Sequence, residues 1–307
     1  MTIKHLVLSG GGPAGLLTYG AAKHLAKTNF WHLKNIKTIY GTSIGSYMGV
    51  VFSLGYEWEW LDDYFIKRPW DKLVELNPLA ILEVYNDKGL LSVDFIKATL
   101  EPLFTAKNLS TQVSMKELFE FNNISIHIYT TEINGHNLEK VCISHHSYPD
   151  LPVITALAMS MAYPFAFKPV CIDDKCYIDG GLLNNYPLRD CIEETKCDMN
   201  EILSFKNVWV LDECKVNTDS NAFDFLLVIL RKMKREIDTE EEQGEIKNTV
   251  RCVIEDLDGL PSWLNALSTE TLRKKLIERG EIQATVFSKY ISMNEEEEEP
   301  SNSNTID

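Results

Sequence analysis

Short continuous apolar runs alternate along this chain with longer stretches whose apolar positions recur every three to four residues. Residues 3–8 form the first run and read as a buried strand. The run ends at Gly10-Gly11-Gly12. Pro13-Ala14-Gly15 then opens a helix to about residue 26, with Leu16, Leu17, Ala21, Ala22 and Leu25 as its core stripe. Residues 38–40 form the next strand, followed at once by Gly41-Thr42-Ser43-Ile44-Gly45 and a helix over about 44–54. Residues 56–125 are mixed and helix-leaning, aromatic at first through Trp58, Trp60, Tyr64, Phe65 and Trp70. Residues 125–132 alternate as a strand, with 139–144 as its partner across Asn134-Gly135. A buried helix is predicted over 152–162, stopped before Pro164. A short hairpin follows over 170–172 and 176–178, around Asp173-Asp174. Further on, the pattern predicts a buried strand at 207–211, a helix at 223–237, a late strand at 251–255 and a terminal helix at 269–290. No internal repeat is visible.

Strands alternating with helices predict an α/β fold with a largely parallel central sheet. One domain is expected over residues 1–292. Residues 293–307 are acidic and rich in Ser and Asn, and are expected to form a disordered tail. With 45% apolar residues, a chain of 307 residues can bury a full core. The net charge of −15 argues against a nucleic-acid partner, because phosphate binding needs clustered Lys and Arg. Seven cysteines without a CxxC pair exclude a zinc ribbon or a thioredoxin-like motif and read as small buried apolar residues. Their odd number and irregular spacing point to a reducing, intracellular and cytoplasmic setting. No run is long enough for a signal peptide or a membrane span, so any membrane contact is expected to be peripheral.

The chemistry concentrates in three places. Gly41-Thr42-Ser43-Ile44-Gly45 lies between a strand and a helix, the setting a nucleophile elbow requires. Gly41 and Gly45 remove side chains where backbones crowd a strained serine, and the helix N-terminus favours negative charge near Ser43. Gly10-Gly11-Gly12 form a turn whose backbone N–H groups can cradle an oxyanion. A dinucleotide loop is the rival reading, through Gly10, Gly12 and Gly15. It lacks the acid that should end a second strand, since residues 28–38 contain none. Serine needs a base. None of the seven histidines lies beyond residue 146, so the late histidine of an ordinary α/β-hydrolase is excluded, with His145 and His146 left as outside candidates. The remaining candidate is Asp179, in Tyr177-Ile178-Asp179-Gly180-Gly181.

Taken together, residues 10–15, the elbow at 41–45, the stretch Ala158-Met159-Ser160-Met161-Ala162-Tyr163-Pro164-Phe165 with Phe167 and Pro169, and Asp179-Gly180-Gly181 with Asn185 and Pro187 resemble the patatin-like phospholipases. The resemblance covers roughly residues 3–215. It implies a three-layer α/β/α fold and a Ser43–Asp179 dyad without histidine. It further implies an oxyanion hole at Gly10, Gly11 and Gly12, with Gly15, Gly41, Gly45, Gly180 and Gly181 in support. Ser43 would form an acyl-enzyme, and Asp179 would accept its proton and then activate water. Family members hydrolyse phospholipid, lysophospholipid or neutral glycerolipid esters, and most need no metal or other cofactor. One departure is Ala14, where members often carry Arg or Lys, after a Pro13 that has no N–H to donate. That loss motivates the alternative of a catalytically idle lipid- or protein-binding homologue.

The expected partner is a membrane or micellar lipid substrate. Two segments are candidates for touching it. One is the aromatic stretch 58–70 with Lys67 and Arg68. The other is 223–237, where apolar residues meet Arg231, Lys232, Lys234 and Arg235. The second is read first as a core helix with a solvated basic end, and otherwise as an interfacial amphipathic helix or lid.

Overall fold

A computed structural model describes residues 2–73, 80–210, 215–220, 222–240, 245–255, 257 and 259–298. In chain order, β1 (His5–Leu8), α1 (Gly15–Lys27), β2 (Thr38–Thr42) and α2 (Ile44–Ser53) come first. They are followed by α3 (Trp58–Lys67), α4 (Ala80–Asp87), β3 (Gly89–Leu91), α5 (Val93–Ala106) and α6 (Met115–Asn122). Next are β4 (Ser125–Glu132), β5 (Glu139–Ile143), α7 (Val153–Ser160), β6 (Phe165–Phe167), β7 (Val170–Ile172), β8 (Lys175–Asp179) and α8 (Leu188–Thr195). The chain closes with β9 (Ile202–Trp209), α9 (Ala222–Glu240), β10 (Thr249–Ile254), α10 (Gly259–Ser268) and α11 (Glu270–Glu298).

The sheet runs β10-β9-β1-β2-β4, all parallel, and then turns antiparallel through β8 and β7, with β5 also on β4. It is the middle of a three-layer α/β/α fold. Leu6, Leu8, Ile39, Ile126, Ile128, Leu203 and Phe205 point to one face and join a core with α1, α2, α5 and α11. The period of two sends Val7, Tyr40, Tyr129 and Ile202 to the other face, where Leu188 and Cys191 of α8 cover them. Helices α1 and α11 pack backbone to backbone. A Cβ on Gly20 would lie 2.0 Å from the Ile277 carbonyl oxygen, and one on Gly280 would lie 2.1 Å from that of Leu17.

Register on β4 places the future site. Residues 125–129 of β4 pair with β2, so that Thr42 faces Tyr129. On the opposite edge β5 pairs with residues 128–132. Where β2 leaves at Thr42, β8 takes over its edge, and Asp179 faces Thr130. The residue after Thr42 and the residue facing Thr130 are therefore neighbours.

Several expectations need correction. The strand expected at 207–211 runs Ile202–Trp209, and residue 211 lies outside the described residues. Its alternation of Ser204 and Lys206 with apolar partners hid it from a search for continuous apolar runs. Residues 293–298, expected within the disordered tail, continue α11, while 299–307 lie outside the described residues. Cys171 and Cys176, read as small buried thiols, instead form a disulfide across the β7–β8 hairpin, where Cys171 is exposed. The aromatic stretch 58–70 is largely core: Phe65 and Trp70 are buried, and Trp58 packs on Tyr19, Trp31 and Phe52. Among the described residues no helix is long and apolar enough to cross a membrane.

Candidate active site

Ser43 caps α2 at φ 54° and ψ −127°, a conformation a side chain adopts only when its surroundings enforce it. Three contacts do so. The Ser43 N–H donates to Ser160 Oγ at 2.8 Å. The Ser160 hydroxyl, fully buried, donates to the Tyr129 carbonyl at 2.6 Å. The Ser46 hydroxyl donates to the Ser43 carbonyl at 2.6 Å. Gly45 lets the elbow press against the end of β1, because a Cβ there would meet the Leu8 carbonyl oxygen at 2.2 Å.

Asp179 ends β8 and is almost completely buried. Its Oδ1 accepts the Gly181 N–H at 2.7 Å, and its own N–H donates to the Ala162 carbonyl at 3.0 Å. Burial pushes its pKa up to about 6, against the pull of the Ser43 hydroxyl, the Gly181 N–H and the Lys234 charge, all of which favour the carboxylate. The structure thus brings Ser43 and Asp179 together.

The glycine turn lines the same cavity, but its three members are not equivalent. The Gly10 N–H is already donated to the Asn185 carbonyl at 3.0 Å, so Gly10 is corrected from oxyanion donor to anchor of the turn. The N–H groups of Gly11 and Gly12 have no recorded acceptor among the described residues. Gly12 sits at φ 55° beneath Trp263, whose ring would lie 2.9 Å from an added Cβ. Asn207 ties the turn to β9, its Nδ2 donating to the Gly10 carbonyl at 3.1 Å and its N–H to Ser9 Oγ at 2.7 Å. Gly15, Gly41, Gly180 and Gly181 all lie at close approaches around this centre.

A cavity of about 430 Å³ opens over Ser43, Asp179 and Gly10–Gly12. Tyr163, Pro164, Leu182, Leu183, Leu230 and Trp263 give it apolar walls, and Lys206, Arg231 and Lys234 bring positive charge. Ala14, where the basic residue is missing, is fully buried, so the cations at this cavity come from other elements. No histidine lines it among the described residues. His145 meets Ser125 at the start of β4, opposite Thr38, and so lies at the far end of the strand from Ser43. His5, Cys197 and Glu201 are close enough together to hold a metal ion. They too lie at that far end, where Lys4 already pairs with Glu201.

A family model for patatin-like phospholipases matches residues 6–192, more than half of the chain. The chain belongs to this family. The patatin-like chain is 27% identical over 236 residues to the uncharacterized protein R571 of Acanthamoeba polyphaga mimivirus, covering 76% of each. It is 29% identical over 190 residues to the probable lipid hydrolase 463L of Invertebrate iridescent virus 6, covering 62% of this chain and 63% of that one. Among solved structures, VipD of Legionella pneumophila shares the fold with a TM-score of 0.55 and 15% identity, over 94% of this chain and 67% of VipD.

Sequence reasoning missed what holds this patatin-like site in place. Ser160 was visible only as part of a motif, Asn207 as one position of a strand, and Trp263 in a helix, α10, that was not foreseen at all. A Ser at the end of a helix whose other residues are apolar except Thr155 was the available signal for Ser160.

Proposed function

We infer that this chain is a lipid acyl hydrolase of phospholipase A or lysophospholipase type, cleaving carboxylic esters of glycerolipids through an acyl-enzyme on Ser43. The supporting observation is the shared edge of β4. It sets a strained, half-buried serine beside a buried carboxylate, and the same cavity holds two backbone N–H groups without an acceptor among the described residues. The family and the naming of a viral relative as a lipid hydrolase support lipid hydrolysis in general.

In the first step Ser43 Oγ bonds to the ester carbonyl carbon and its proton passes to Asp179. The carbonyl π electrons move to oxygen, where the Gly11 and Gly12 N–H groups stabilise them. Collapse expels the alcohol, which takes the proton from Asp179, and leaves the acyl group on Ser43. Water then repeats the sequence with Asp179 as base and releases the fatty acid. An ordinary aspartate is too weak a base for this. Burial strengthens Asp179 while leaving it ionised at neutral pH, since a value of about 6 lies below 7.

A fluorophosphonate probe is expected to label Ser43 covalently, read by mass spectrometry of the labelled peptide. An unlabelled Ser43 with label elsewhere would favour the idle-homologue reading drawn from Ala14. Ser160→Ala should slow both labelling and turnover by about 10–100-fold with little change in KM, because it frees the elbow without touching substrate. Unchanged labelling in a folded Ser160→Ala protein would remove that role, and Ser160→Thr should restore part of the rate.

A further inference from the structure

Helix α9 has two faces with different jobs. At about 100° per residue, Leu230, Arg231 and Lys234 fall on one side, and all three line the cavity. Phe225, Leu226, Ile229 and Met233 fall together on the neighbouring side, with Leu230 at the border between the two, and are 47, 48, 39 and 59% exposed. The expectation of a core helix therefore fails: this apolar run packs inward only in part, and its outer stripe lies bare at the cavity wall. Such a patch amounts to a few hundred Å², the range in which exposed apolar surface marks a contact site.

We propose that this outer face of α9 docks the protein on a lipid surface, lying in the plane of the interface with the cavity beside it. Charge selects lipid as the occupant. Lys232 is exposed at the edge of the apolar arc, beside Phe225, and Arg231 and Lys234 follow towards the cavity, a basic cluster on a chain whose net charge is −15. Basic side chains bordering an apolar helical stripe suit the boundary between acyl chains and phosphate headgroups. Trp209, 40% exposed, lines the same cavity and precedes exposed Val210, adding an aromatic anchor of the kind found at that boundary. The 19-residue helix is not apolar enough to span, so it rests on the surface.

The inference rests on the hydrolase reading, and the test separates the two. The Ser43→Ala protein is sedimented with vesicles of phosphatidylcholine alone and of phosphatidylcholine with phosphatidylserine. It is expected to bind both, more tightly with phosphatidylserine. Leu226→Glu combined with Met233→Glu should weaken binding to both by at least about tenfold, since two apolar anchors are lost. Lys232→Glu should weaken binding several-fold on the anionic vesicles only. In the Ser43 background, the double variant should hydrolyse a monomeric short-chain ester at the parental rate while losing activity on vesicles. Vesicle binding unaffected by the double substitution overturns the proposal, as does absence of binding by the parent. So does a parental dimer, seen by light scattering, that the double substitution dissociates, because a second copy would then be the occupant. Loss of short-chain ester hydrolysis in the parent itself would instead count against the hydrolase reading and leave the docking result standing.

Discussion

Ser43→Ala is expected to release fatty acid from ester substrates at least about 10⁴-fold more slowly than the parent, with the fold retained and the melting temperature lowered by at most a few degrees as the Asp179 carboxylate loses one donor. The size of the effect follows from the role. Ser43 Oγ is the hydroxyl that the elbow sets beside the carboxylate, so removing it removes the bond-forming atom. The small effect on stability follows from the backbone. Alanine keeps a Cβ at φ 54° and inherits the same strain, while the Ser160 and Ser46 contacts go to main-chain atoms of residue 43 and survive the change. Circular dichroism and a thermal melt establish the fold, and a fatty-acid release assay reads the activity. Substantial turnover by the folded variant would overturn the acyl-enzyme mechanism.

Asp179→Asn should move activity and stability in opposite directions. Activity is expected to fall by about 10³-fold or more, because an amide cannot accept the serine proton. Stability at neutral pH should rise. The folded-state pKa of about 6 lies above the ordinary aspartate value, so burial costs energy once the group is ionised. Between about pH 4 and pH 6 the folded protein holds a proton that the unfolded chain has released, and stability falls as pH rises through that window. Above it the full cost is present, on the order of 2–3 kcal/mol, and the neutral isostere avoids it. The variant should therefore melt several degrees higher than the parent at pH 7.5, with the gap closing at pH 4. In the parent, kcat/KM should fall about tenfold per pH unit below 6, as the carboxylate is protonated. A flat profile from pH 5 to 8, or equal melting temperatures at neutral pH, would show that Asp179 does not carry the burial cost assigned to it.

Much of this centre was readable before any coordinates. The glycine turn, the elbow and the Asp-Gly-Gly corner each announce themselves, because backbone crowding there tolerates few residue types. The strand at 125–132 was legible end to end, since Ser125-Ile126-His127-Ile128 alternate and Tyr129, Thr130 and Thr131 continue with residues that favour strands. Other features leave weaker traces. Each strand of the small β3–β6 sheet has only three residues, too short for any period to show. The spent N–H of Gly10 depends on Asn185, 175 positions away, and nothing local in a glycine run tells which amides are occupied. The Cys171–Cys176 pair could have been found, since both flank a hairpin turn that had been identified, and opposed positions follow from that turn. Helix α9 shows the limit of periodicity: an apolar stripe is the same pattern whether protein or something else lies against it.

The order in which β2 and β8 share one edge of β4 has a consequence for how such a protein can vary. Alcohol and carboxylate are indexed against adjacent rungs of a single ladder, not against each other through the intervening chain. The stretch between them can therefore lengthen, shorten or acquire a new outline while the reacting pair keeps its spacing. What it cannot survive is a slip of one rung in β8, which would carry Asp179 a full residue along the strand and turn it to the sheet's other side. Tolerance belongs to the connections, and intolerance to a few paired positions on β4 and to Ser160, which holds the elbow.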